Sequence, residues 1–271
     1  MSDPPKVSVI IPHFNMHAFL PAAVKSVDDQ VYDNIELIIV DDGSDLPLRF
    51  DHLNIDETTA EELELTLQSI NHGGKSKAVN EGFRHATGDY VIVLDADDQL
   101  PEDSLSRRMH ELQQTNADLC IGSFECHTNG QIQSKRDIEE FVDLSNREII
   151  QKLLIRVIAP FHQNAMLFSR GLLQRVGQMD PEMLRSQDKD FAIRLLQNST
   201  ETIFIEDSVY IYNRYSRSLE KRLANRLRGM KYKLVLIRKY FSGWRRFIFL
   251  SWGIVVGIGK FIHDLFGTYK K

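Results

Sequence analysis

Gly88-Asp89-Tyr90-Val91-Ile92-Val93-Leu94-Asp95-Ala96-Asp97-Asp98 is the stretch on which the reading of this chain turns. Tyr90 to Leu94 are apolar or aromatic and rich in β-branches. With Gly88 ahead of them they predict a short strand buried on both faces of a parallel sheet. The run stops at three carboxylates, Asp95, Asp97 and Asp98, separated only by Ala96. Alternation along extended backbone would point Asp95 and Asp97 to one side and turn Asp98 away. Carboxylates this close raise one another's proton affinity unless a cation lies between them. Oxygen ligands in such a group suit a hard divalent ion, Mg²⁺ or Mn²⁺. The alternative is a solvated acidic turn in which Asp98 caps a helix starting at Pro101-Glu102-Asp103.

Working outward, Lys6-Val7-Ser8-Val9-Ile10-Ile11-Pro12 predicts another short strand, and Phe19, Leu20, Ala23, Val24 and Val27 recur at helical spacing after it. Ile35-Glu36-Leu37-Ile38-Ile39-Val40 predicts a third strand, ending in Asp41-Asp42-Gly43-Ser44. Strand, helix, strand in that order argues for a right-handed βαβ unit in a parallel sheet, whose ligands sit at the carboxyl ends of its strands. All three strands end in polar residues, at 12–15, 41–44 and 95–98. That convergence is the main evidence for a site that the residues alone provide. Residues 58–67 read equally as a short helix or an edge segment. Asn71-His72-Gly73-Gly74-Lys75-Ser76-Lys77 is a polar turn ahead of a helix at 78–86, either a seat for a diphosphate or an ordinary loop.

Further on, a surface helix is expected over 103–116, a strand over 117–124 and a hairpin turn at Asn129-Gly130. A helix over 146–155, a strand over 165–168 and a helix from Gly171 follow. Ser186-Gln187-Asp188-Lys189-Asp190 opens a helix at 191–197, and its carboxylates are explained by capping and the helix dipole as well as by chemistry. The last strand runs over 202–212, and Tyr212-Asn213-Arg214-Tyr215-Ser216-Arg217-Ser218 is a cationic loop beyond it.

The 271 residues, 42% apolar and 26% charged, suit one large α/β domain with an appendage and argue against disorder. The formal charge of −5 hides an asymmetry. Lys221, Arg222, Arg226, Arg228, Lys231, Lys233, Arg238, Lys239, Arg245 and Arg246 crowd a short C-terminal reach that would seek phosphate, on lipid headgroups or on nucleic acid. An apolar run at 247–259 follows, shorter than the ~20 residues a spanning helix needs, and extending it to Phe266 takes in Lys260 and Asp264. An interfacial helix on anionic lipid fits better, with a buried helix or a contact between copies as the alternatives. Regular aromatic interleaving is missing, so no nucleic-acid partner is expected. Cys120 and Cys126 are expected as reduced thiols. The first residues lack a signal-peptide pattern, so a cytoplasmic location is expected.

Five segments together resemble family 2 glycosyltransferases of the GT-A type: Val7 to Asn15, Glu36 to Ser44, Asn71 through Asn80, Gly88 to Asp98, and Ser186-Gln187-Asp188. Their order and spacing cover roughly residues 5–218. The resemblance implies an α/β, Rossmann-like, mixed but mostly parallel sheet flanked by helices. It divides the chain into a GT-A domain at 1–218 (nucleotide half about 5–100, acceptor half about 101–218) and a basic, then apolar, helical tail at 219–271. Pro12 and Asn15 would lie along the nucleotide, Asp42 would receive the base edge, and Lys75 would reach the phosphates. Asp95 would contact the ribose, Asp97 would ligate Mn²⁺ or Mg²⁺ with Asp98 assisting, and Asp188 would be the general base. Arg214 or Arg217 would close over the diphosphate. His162 is either an acceptor- or phosphate-side contact or a structural histidine.

The activity so implied is inverting transfer of a sugar from a nucleotide sugar, expected to be UDP-linked, to a hydroxyl of a membrane-linked saccharide in cell-surface polysaccharide synthesis. Residues 219–266 would hold the enzyme peripherally on the inner face of the membrane. Gln187 departs from the glutamate usual before the base. The glutamine-x-x-arginine-tryptophan motif and membrane helices of processive members are not evident, so single transfer is expected. Transfer to a polyprenyl phosphate and a catalytically silent sugar-nucleotide-binding scaffold remain alternatives.

Overall fold

The computed structural model describes residues 4–136, 138–155, 161–215 and 219–241. Among these, eight strands form one sheet: β1 (Val7–His13), β2 (Ile35–Asp41), β3 (Thr66–Ser69), β4 (Tyr90–Val93), β5 (Leu119–Thr128), β6 (Gln131–Arg136), β7 (Met166–Ser169) and β8 (Thr202–Asn213). The helices are α1 (Leu20–Asp28), α2 (Glu57–Glu62), α3 (Lys75–His85), α4 (Ser104–Gln114), α5 (Glu139–Val142), α6 (Asn146–Ile155), α7 (Arg170–Val176), α8 (Gln187–Asn198) and α9 (Leu219–Tyr240). The ambiguous stretch at 58–67 is thus mostly the short helix α2, with β3 taking up its end as an edge strand.

Strand order is β3-β2-β1-β4-β7-β5-β6, with β8 paired to β5 off that path. β1 runs parallel to both β2 and β4, β7 is antiparallel to β4 and β5, and β8 is parallel to β5. This is the mixed, mostly parallel α/β sheet expected, and chain order reverses at β1, between β2 and β4. A crevice opens at the carboxyl ends of strands where the order reverses.

Strand alternation sorts the core onto the two faces. Val7, Val9 and Ile11 of β1 join Leu20, Val24 and Val27 of α1 and Leu105 and Met109 of α4 on one face. Ile10 turns to the other, with Ala78 and Val79 of α3, Ile149 and Leu153 of α6, and Phe191 and Leu195 of α8. Glu36 is a buried polar residue near the start of β2. Its carboxylate accepts hydrogen bonds from Ser8 Oγ, Thr87 N (2.6 Å) and Gly88 N (2.8 Å), closing the opposite end of the sheet from the crevice. A Cβ at Gly88 would lie 2.6 Å from Ser8 Oγ, so glycine is required for that approach.

α9 is part of this body. Leu236, Ile237 and Phe241 are buried in the second core. Asp190 of α8, fully buried, receives Lys239 Nζ at 2.7 Å, Tyr240 Oη at 2.7 Å and Arg194 Nε at 3.0 Å. Burial opposes its charge, but these hydrogen bonds hold its pKa below the ordinary value. No helix among the described residues is long and apolar enough to cross a membrane. The apolar run at 247–259, with Arg245 and Arg246, lies outside the described residues.

Replacing Lys239 by Met is therefore expected to lower stability by roughly 2 kcal/mol, the cost of removing a charged hydrogen-bond partner from a buried carboxylate. Urea unfolding reads this directly, and a loss below about 0.5 kcal/mol, ordinary for a surface site, would contradict the clasp.

Candidate active site

A cleft of about 290 Å³ opens where β1, β2 and β4 end, lined among others by Pro12, Phe14, Asp42, Lys75, Asp95 and Asp97. One wall is a ring pair: Phe14 stacks on His72 with centroids 4.2 Å apart and planes at 24°. Such flat surfaces suit a planar ligand ring. Sequence reading quoted both residues without giving either a role, because the pairing joins loops from two different strand ends.

The loops around the cleft are tied by carboxylates. Asp41 accepts from Ser44 N at 3.1 Å and Leu48 N at 3.0 Å, shaping the turn after β2. Asp42, expected at a base edge, lines the cleft while accepting from Gly73 N and Gly74 N, each at 2.8 Å, with His72 Nδ1 at 2.9 Å. It thereby docks the Gly-Gly turn onto β2. Gly43 sits at φ 70°, and a Cβ there would lie 2.7 Å from His72 N, so the two loops meet only because that side chain is absent. Asn15 directs its amide to Asp45, with Nδ2 donating at 3.0 Å and Oδ1 accepting at 2.9 Å. It joins the β1 and β2 exits.

The acidic segment differs from the extended chain expected. β4 ends at Val93, and Asp98 N donates to Asp95 O at 3.0 Å, which makes 95–98 a turn. Asp98 is consequently not turned away: one oxygen each of Asp95, Asp97 and Asp98 lie within 4.8 Å of one another. Nor does Asp98 cap a helix. It is buried, accepting from Tyr210 Oη and from Asn213 N at 2.8 Å. Burial, then the charges of Asp95 and Asp97, push its pKa up to about 8. Crowding of this kind is relieved by a cation, and the donor set is all oxygen, so the residues fit a hard divalent ion.

Lys75, the first residue of α3, reaches Asp95 Oδ1 at 2.5 Å. Burial works against both charges, yet the pair holds the Lys75 pKa above its usual value and the Asp95 pKa below. Asp188, in the first turn of α8, lies within electrostatic range of Lys75 and His162. The two carboxylates of that turn part company: Asp190 clasps α9, and Asp188 acts on Lys75. His162 packs against Tyr212 (5.2 Å between centroids) and Tyr210 (5.6 Å), and burial lowers its pKa. Arg214 stands 5.9 Å from the Tyr212 ring centroid. Arg217 lies outside the described residues. Tyr210, Asn164 and Asn213 escaped sequence reading. Tyr210 is 112 residues from the carboxylate it contacts, and no local pattern announces such a bond.

Residues 8–177 match the model of glycosyl transferase family 2. The chain is similar to glycosyltransferase GlyG of Streptococcus pneumoniae, 26% identical over 79% of this chain and 72% of that protein. It also resembles a GalNAc(5)-diNAcBac-PP-undecaprenol beta-1,3-glucosyltransferase of Campylobacter jejuni, 32% identical over 40% of this chain, and it spans only 34% of that enzyme. Among solved structures, S. aureus TarS 1-349 in complex with UDP-GlcNAc superposes with a TM-score of 0.67 over 97% of this chain and 73% of that one, at 18% identity. The Pyrobaculum calidifontis mannosyltransferase PcManGT, in complex with GDP-Man and Mn²⁺, gives 0.62 over 96% of this chain and 75% of that one, at 20% identity. At those identities the two structures establish the fold.

His13, in the cleft wall, gives the site a pH signature. It is 1% exposed, and neither ring nitrogen has a hydrogen-bond partner among the described residues. Burial and then the neighbouring His17 lower its pKa from 6.5 to about 4, with Asp41 opposing. The unfolded chain therefore binds this proton throughout the window in which the folded chain excludes it, and stability falls as pH drops from 6.5 toward 4. Urea midpoints at pH 7 and pH 5 should differ less in a His13→Asn variant than in the parent. Equal differences in both would refute this.

Proposed function

The chain belongs to glycosyltransferase family 2, and on that premise we propose that it moves one sugar from a UDP-sugar to a hydroxyl of a membrane-linked saccharide, inverting the anomeric centre. The observation that carries this reading is the meeting of the Phe14–His72 ring wall and the acidic turn 95–98 at one strand-end cleft, with Asp188 in electrostatic range of its Lys75. The UDP-GlcNAc in the TarS complex supports the donor class, and the undecaprenol-linked substrate in the Campylobacter enzyme's name supports a lipid-linked acceptor.

In this reading the base lies against the Phe14–His72 wall beside Pro12, and Asp95 meets the ribose. Asp97, with Asp98 behind it, would hold Mn²⁺ or Mg²⁺. A divalent ion there supplies charge that stabilises the departing diphosphate. Lys75 adds a cation from the N-terminus of α3, and Arg214 and Arg217 would add theirs. Asp188 takes the proton from the attacking hydroxyl onto its carboxylate, which raises the nucleophilicity of an otherwise weak group. Gln187 beside it is neutral where the family's glutamate would be charged, so Asp188 works with one less negative neighbour. Residues 219–266, with their clustered cations at 221–246 and the apolar run at 247–259, hold the enzyme peripherally on the anionic inner face of the cell membrane, within reach of a lipid-linked acceptor.

A melting-temperature screen of UDP-, GDP- and other nucleotide sugars with Mn²⁺ should single out a UDP-sugar, and transfer of that sugar to a membrane acceptor fraction should stop on chelation. Asp97→Asn and Asp188→Ala should each cut turnover at least 100-fold, the scale of a lost acid–base or electrostatic contribution. Undiminished turnover in Asp97→Asn at saturating manganese would end the metal reading. Near-normal turnover in Asp188→Ala would favour a phosphate acceptor, which needs no base.

Membrane attachment is tested by a chain cut after Phe241, which should move to the soluble fraction relative to full length. A cut before α9 is the wrong comparison, since it also strips Lys239 and Tyr240 from buried Asp190. Equal partitioning of the chain cut after Phe241 and full length would refute attachment by the residues beyond it.

A further inference from the structure

Three carboxylates with oxygens inside 4.8 Å repel strongly before any cation arrives, so something in the protein has to hold them in that arrangement. Part of the hold is ionic, through Lys75 on Asp95. The rest comes from behind the turn. Tyr210 Oη donates to Asp98 Oδ2 and accepts from Asn164 Nδ2 at 3.1 Å. Tyr210 and Asn164 are fully buried and Asp98 is 1% exposed. The other Asp98 oxygen accepts from Asn213 N at 2.8 Å, and Asn213 Nδ2 donates to Asp97 O at 3.0 Å.

We propose that Asn164 and Tyr210 form a neutral bridge that positions the metal-binding turn by tying Asp98 to the segment before β7, and that Asp98 is a strut rather than a direct metal ligand. This rests on the reading of Asp97 as the ligand.

The chemistry of the bridge favours that role. Both oxygens of Asp98 are engaged by protein donors from the end of β8, whereas Asp97 lines the cleft and has its backbone carbonyl held by Asn213. Hydroxyl and amide donors stabilise a carboxylate without cancelling its charge, so the turn keeps its attraction for a cation. A lysine or arginine in the place of Tyr210 would hold the turn and compete with the ion. Asn164 leaves its own Oδ1 without a partner among the described residues, so the residue is used there for its donors. The ring of Tyr210 is fixed independently, packed on Phe124 at 5.8 Å and on His162 at 5.6 Å, so loss of the hydroxyl alone leaves the packing in place.

The test uses the full chain and manganese alone, with free Mn²⁺ counted by electron paramagnetic resonance. Tyr210→Phe and Asn164→Leu are each expected to weaken Mn²⁺ binding at least fivefold, and Asp97→Asn to abolish it. Melting temperatures without metal are measured alongside. A Tyr210→Phe chain that binds Mn²⁺ like the parent, whether or not its melting temperature falls, overturns the bridge while Asp97→Asn still reports on the metal reading. Parent-like binding in Asn164→Leu removes the Asn164 end of the bridge and overturns it as stated. A parent chain that binds no manganese overturns this proposal together with the metal reading.

Discussion

Electrostatic crowding at the end of β4 is the constraint around which the rest of the molecule is arranged. A central strand delivers Asp95, Asp97 and Asp98 to one small volume, and left alone those charges would spread the turn apart. Each surrounding feature answers that repulsion. Lys75 comes from the N-terminus of α3, Tyr210 and Asn213 come from β8, and Asn164 comes from just before β7. The raised pKa of Asp98 records its burial first and the remaining repulsion from Asp95 and Asp97 second.

The same economy of carboxylates recurs at the other loops. Asp41 ends β2 and Asp42 follows it, yet the two have different tasks, one shaping its own turn and one docking the Gly73-Gly74 turn. Glycine at 43 removes the side chain that would keep those loops apart. The cleft wall of Phe14 and His72 can exist because the loops carrying them are held this close.

α8 shows how neighbouring residues divide structure from chemistry. Asp188 and Asp190 share one helical turn, which begins at Ser186 in a left-handed conformation. Asp190 is buried under α9, bound by Lys239, Tyr240 and Arg194, whereas Asp188 lies within electrostatic range of Lys75 and His162. The C-terminal basic helix is therefore attached to the element that carries the proposed base, and its last turn belongs to the core as well as to the surface.

Much of this was legible in the residue order. The strands, the βαβ unit and the gathering of polar strand ends follow from local periodicity, because a buried parallel strand has to be apolar and short and its ligand-bearing end has to be polar. Family membership was legible as well, since five motifs in order are a property of the linear chain. Three things were not. The path of residues 95–98 depended on a turn bond between Asp98 and Asp95, the split between Asp188 and Asp190 depended on where α9 packs, and the bridge from Asn164 through Tyr210 to Asp98 joins residues 46 and 112 positions apart. Sequence determined which chemical groups this protein has and at which strand ends they emerge; tertiary structure alone decided which of them face one another, because hydrogen bonds and charge pairs act through space and leave no period along the chain.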